Sequence, residues 1–126
     1  MADSHLIFLG TYTRSGASRG IYAVRLENDS GRFSAPWLAA EATDPGWLEF
    51  SADRRLLYVI HGSPVQAVAY RLDSTTGLLT PLNTPPPAPG GMAAPCHLAL
   101  SCHGGVMLAA DGAAFYANQL RRSAAA

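Results

Sequence analysis

Arg25–Phe33 reads RLENDSGRF and Arg71–Leu79 reads RLDSTTGLL, two versions of one phrase whose glycines, Gly31 and Gly77, stand 46 residues apart. A second pair follows it. PGWLEFSADRRLLYV, Pro45–Val59, returns as PCHLALSCHGGVMLA, Pro95–Ala109, at an offset of 50, and the four extra residues fall in the proline-rich connection TPPPAPGG. Between these landmarks, short runs of Val, Ile, Leu, Tyr and Phe are punctuated by Gly, Pro, Asp and Ser, and helical periodicity is almost absent. The chain therefore reads as all-β.

The punctuation predicts strands over His5 to Tyr12, Gly20 to Glu27, Phe33 to Ala42, Trp47 to Ser51, Leu56 to His61, Gln66 to Leu72, Leu79 to Asn83, His97 to Ser101, Val106 to Ala110 and Ala114 to Asn118. That spacing suits a sandwich, a barrel or a propeller. The repeat selects the last, because about four strands in roughly 40 to 50 residues make one propeller blade. Tight turns at SADRR and STTG reverse the chain, and the alternating LLYVI and VAYRL segments pack between neighbouring blades.

With strands lettered A to D outward from the channel, Trp47 to Asn83 is one complete four-stranded antiparallel blade. His5 to Ala42 supplies B, C and D of a blade whose A strand comes from elsewhere in the ring, and His97 onward begins a third blade. The expected architecture is a partial β-propeller over residues 1–110, followed by a divergent tail over residues 111–126.

Composition sets further bounds. A 48% hydrophobic content is too apolar for a disordered chain and predicts a buried core. Nine basic side chains balance nine acidic ones, so no net field gathers nucleic acid or an anionic membrane, and neither is expected as a partner. The apolar run Leu6 to Leu9 is too short for a signal-peptide core or a membrane span, and the N-terminus has no basic n-region, which points to the cytosol. Cys96 and Cys102 fit neither a disulfide framework nor a four-ligand zinc site; they read as free thiols packed as small apolar groups, with no metal and no cofactor expected.

FLGTYT, SRGIYAVRL with its following SG turn, PGWLEFSADRRLLYV, AYRLDSTTGLLTPLN and GGMAAPCHLALSCHGGVMLAA together resemble the opening blades of the seven-bladed lactonase propellers, the family of 6-phosphogluconolactonase and the fungal carboxymuconate-cyclising enzymes. The resemblance covers Leu6 to Ala110. It departs from the family where members carry an Asn near the end of strand B; here stand Val59-Ile60-His61 and Ala110-Asp111.

In such a fold the D-to-A and B-to-C connections open on one face, so A-strand starts and B-strand ends meet at the channel mouth. The resemblance implies a functional histidine in the PCH segment, His97, whose imidazole can exchange a proton near neutrality; the alternative is a histidine that only bonds a backbone carbonyl. Tyr12, Thr13 and His61 end B strands, Trp47 is the repeat counterpart of His97, and Arg19 can fork onto a phosphate, which makes these five the candidate substrate contacts. Each also has a plain reading as sheet packing, blade-interface aromatic or solvated loop. The SGASRG loop is not a P-loop, since no GK[ST] follows and it leads into a strand.

Three functions follow. By resemblance, the chain belongs to a hydrolase opening 6-phospho-D-glucono-1,5-lactone to 6-phosphogluconate in the pentose phosphate pathway, with a phosphorylated sugar lactone as partner. The second is a carboxymuconate lactonising isomerase of the same fold. The third is a non-catalytic binding module or an inactive truncation, self-associating through exposed blade edges.

Overall fold

A computed structural model describes residues 3–62 and 66–82 in full and the backbone of three further strands between 97 and 119. It is built from strands alone among the described residues: β1 (Ser4–Leu9), β2 (Gly20–Glu27), β3 (Trp37–Glu41), β4 (Pro45–Phe50), β5 (Leu56–His61), β6 (Gln66–Asp73), β7 (Leu78–Pro81), β8 (His97–Leu100), β9 (Val106–Ala110) and β10 (Phe115–Gln119). They form three antiparallel sheets, ordered β1-β2-β3, β4-β5-β6-β7 and β8-β9-β10. The middle sheet is the complete blade; the first is a B-C-D set and the third an A-B-C set. β10 falls inside the segment expected as a divergent tail, and it pairs with β9 from Phe115↔Ala110 to Gln119↔Val106. Cys96, Cys102, Asp111 and the last seven residues lie outside the described residues.

Blade stacking follows the lettering. The A strands β4 and β8 lie side by side, as do the D strands β3 and β7. The repeat is also visible in the backbone: Gly31 has φ 70° and Gly77 φ 72°, and each amide donates to the carbonyl four residues back, Glu27 at 2.9 Å and Asp73 at 2.7 Å. A left-handed turn residue closing a hairpin favours glycine, which explains why the two phrases keep this glycine while the turn residues just before it change.

The core lies between the first two sheets. Ile21, Ala23 and Ala39 of the first blade pack with Leu57, Val59, Val68, Tyr70 and Leu79 of the second. β5 is buried along nearly its whole length, on both faces, which fits a run LLYVI that is continuously apolar where alternation was expected. Trp37 bolts the seam from outside, its indole N–H donating to the Gly77 carbonyl at 3.2 Å.

Most strand ends shift from the expected ones, by a residue or two and some by more. β1 stops at Leu9 instead of reaching Tyr12, because Gly10 passes so close to β4 that a Cβ there would lie 2.3 Å from the Pro45 carbonyl oxygen. β3 begins at Trp37 instead of Phe33: Pro36 has no N–H for a ladder, and Phe33 makes only an isolated bridge to Leu26. β7 ends at Pro81 instead of Asn83.

Candidate functional site at the channel mouth

The D-to-A and B-to-C connections meet, as the lettering requires, and Asp44 is where they meet. It stands at the end of the β3–β4 connection, 3% exposed, with φ 45°. One carboxylate oxygen accepts the Thr13 amide at 2.7 Å and the Thr13 hydroxyl at 3.2 Å; the other accepts Arg14 Nε at 2.7 Å. Asp44's own amide donates back to Thr13 Oγ1 at 3.2 Å. The next B-to-C loop joins the same knot, since the Gly62 amide reaches the Thr43 and Asp44 carbonyls at 3.2 and 3.1 Å. Arg14 and the Thr13 amide hold the Asp44 carboxyl below its ordinary range, and Asp44 in turn raises the Arg14 guanidinium. Aspartate enters the left-handed region more readily than most residues, and here the bonds from Thr13 and Arg14 hold its side chain in place.

Arg14 spends only Nε on this clasp. Its side chain is 63% exposed, so its terminal NH2 groups remain toward solvent at the mouth. Around it the expected contacts take distinct places. Thr13 is part of the clasp, and Tyr12 beside it is 71% exposed. Arg19, at the far end of the same loop, pairs with Glu41, both side chains being exposed. Trp47 sits on β4 opposite Ile60, its indole N–H reaching toward Glu49 Oε2 at 3.5 Å.

His61 turns the other way, into the sheet. It is buried, Nε2 shares a 2.9 Å hydrogen bond with the Tyr70 hydroxyl, and the two rings stack at 5.9 Å. Burial lowers the imidazole pKa and pushes the Tyr70 phenol up to about 12, so both groups are neutral at pH 7. His97 opens β8 opposite Ala110, at the same end of its strand as Pro45 and Trp47 on β4; its side chain lies outside the described residues. Among the described residues no group of three or more His, Cys, Asp or Glu is arranged to hold a metal.

Sequence reasoning passed over Asp44 and Arg14. The signal was present in TDPGW: at the repeat offset of 50 the counterpart of Asp44 is Ala94, and an acid confined to one copy of a repeated turn marks a local task.

The sequence profile described as "Lactonase, 7-bladed beta-propeller" matches residues 6–117. The chain belongs to this lactonase family. Solved structures agree. A candidate 6-phosphogluconolactonase from Bacteroides uniformis superposes with a TM-score of 0.80 at 29% identity, over 97% of this chain and 35% of its own. A second, from Bacteroides fragilis, gives 0.70 at 30% identity over 86% and 29%. A periplasmic gluconolactonase of Pseudomonas aeruginosa gives 0.72 at 25% identity over 85% and 31%. This lactonase chain thus spans about a third of the length of the structures it matches. A search of curated proteins returns no match. No helix of the described residues is long and apolar enough to cross a membrane, and one of the lactonase relatives works in the periplasm.

Proposed function

We propose that the lactonase ring carrying these residues hydrolyses 6-phospho-D-glucono-1,5-lactone to 6-phosphogluconate, with His97 as the base that activates water. Membership of the lactonase family carries the reading. It is supported by two features of one face: β8 begins with His97, and the connections of the two preceding blades close around Asp44 on that face.

In the reaction, His97 takes a proton from water as the oxygen attacks the lactone carbonyl carbon. Charge then develops on the carbonyl oxygen and needs donors to hold it. Collapse breaks the bond to the ring oxygen, which receives a proton, and the product carries a carboxylate and a free hydroxyl. Arg14 and Arg19 are the cations of the first B-to-C loop at this mouth, and guanidinium forks suit phosphate oxygens. Tyr12 and Trp47 stand beside the same approach and Thr13 braces it through Asp44, whereas His61, bonded to Tyr70 inside the sheet, is left out of the substrate contacts. The chain by itself holds a minority of the ring, so we assign it no turnover alone, and self-association through the edge of β1, which pairs with no strand on its outer side among the described residues.

The test is lactone opening by the complete ring, followed as acid release, for the parent and for His97→Ala. Loss of activity above the spontaneous rate in the variant is the expected result; equal turnover removes His97 from the chemistry.

A further inference from the structure

On the face opposite the mouth, a cavity of about 330 Å³ opens at the seam between the first two blades. Its wall comes from the start of β1 (Ser4, His5), from Arg25 of β2, from Arg54 in the β4–β5 turn and from Ser74 in the β6–β7 turn. Leu6, Phe8, Phe50 and Leu72 make the floor. Phe8 and Phe50 meet edge to face with centroids 6.0 Å apart, and Phe50 remains 36% exposed. The size is at the lower end for small-molecule sites, which run from about 300 to 1,000 Å³.

The lining of this cavity carries two arginines and no carboxylate. Among the described residues neither Arg25 nor Arg54 makes an ion pair; the Arg25 guanidinium reaches only the Thr75 carbonyl, at 3.5 Å. The neighbouring carboxylates are turned to their own turns: Asp53 accepts from Ser51 Oγ and the Arg55 amide, and Asp73 from the Thr75 and Thr76 amides. Arg54 is also held at φ 61°, a left-handed conformation, and its repeat counterpart at an offset of 50 is Gly104. A residue with a Cβ costs about 1–2 kcal/mol in that conformation. The blade keeps an arginine where its repeat has a glycine, and Arg54 lines the cavity.

We propose that this seam is a second ligand site, distinct from the lactone mouth, for a small phosphomonoester with a flat apolar body. The phosphate lies between Arg25 and Arg54, with Ser4, Ser74 and His5 as further donors, and the apolar body lies on Phe8 and Phe50. Two guanidiniums without carboxylate partners supply the charge, and the half-exposed aromatic floor supplies the selectivity over a bare anion.

Calorimetric titration of the whole chain at 0.15 M salt tests this with phenyl phosphate, inorganic phosphate and phenol as probes. Saturable binding of phenyl phosphate is expected, at least tenfold tighter than inorganic phosphate, with phenol silent. Arg54→Gly places the repeat's own residue in the left-handed turn, so the fold is kept, and it weakens phenyl phosphate at least tenfold; Arg25→Gln does the same by a route that leaves the turn untouched. Absence of saturable binding by the parent, equal affinity for the two phosphates, or unchanged affinity in both folded variants overturns the proposal. Lactone turnover plays no part in the readout, so failure here and failure of the lactonase reading are told apart.

Discussion

Gly77→Ala probes the blade seam at its tightest point. A Cβ at Gly77 would lie 2.4 Å from Trp37 Cζ2 and 3.1 Å from Cε2, and the residue's φ is +72°. Two costs combine. The left-handed conformation with a side chain costs about 1–2 kcal/mol. Pushing the indole aside costs about 1–3 kcal/mol as overpacking. The sum, about 2–5 kcal/mol, is a large share of a small domain's stability of about 5–15 kcal/mol. Gly31→Ala is the matched control, since it shares the conformation at φ +70° and has nothing within 4 Å of the added carbon. It should lose only the conformational part, and the reduced freedom of the unfolded chain is common to both variants. Urea unfolding followed by tryptophan fluorescence and far-ultraviolet dichroism, at low protein concentration, measures the pair. Gly77→Ala is expected to fall below Gly31→Ala by about 1–3 kcal/mol. Losses equal within about 0.5 kcal/mol, the usual range for surface changes, would refute the packing of the β2–β3 sheet on the next blade's turn.

Other outcomes follow from the same contacts. Burial lowers the His61 pKa, so the unfolded chain binds the extra proton; stability is full above the ordinary histidine value of about 6.5 and declines as pH falls below it. Melting at pH 8 and pH 5.5 should show that decline in the parent and a flatter response in His61→Gln. The Tyr70 phenol, at about 12, holds its proton longer in the folded chain than the ordinary value of about 10 allows. Stability is accordingly full below pH 10 and lost as pH rises toward 12, and Tyr70→Phe should remove this alkaline loss from melting curves. Asp44→Ala breaks three accepted bonds and should lower the melting temperature more than Asp44→Asn, which keeps a left-handed-tolerant side chain and an oxygen for the Thr13 amide. Because its folded pKa is depressed, the parent's Asp44 contribution is present above the ordinary carboxylate range and disappears as pH falls through the folded value.

The propeller was legible because a blade cannot bury its faces alone, so the chain repeats its strand and turn pattern, and glycine at 31 and 77 preserves the turn's handedness where other side chains change. Strand ends were less legible. Gly10 leaves its strand because of a Pro45 carbonyl brought near by the fold, which no local pattern announces. The site divided in the same way. Thr13 could be placed at the mouth from strand order, whereas its partner Asp44 lies 31 residues away and lacks a counterpart in the repeat. His61 ends a B strand as the order requires, yet its ring bonds Tyr70 inside the sheet, a direction that depends on the cross-strand packing of β5 on β6.

The measurement closest to the central claim is acid release from freshly prepared 6-phospho-D-glucono-1,5-lactone at neutral pH, with the complete ring carrying these blades, against the spontaneous rate. The lactonase account predicts catalysed opening by the parent and a fall of about 10²-fold or more in His97→Ala, the scale of a lost general base. A parent that leaves the spontaneous rate unchanged would contradict it.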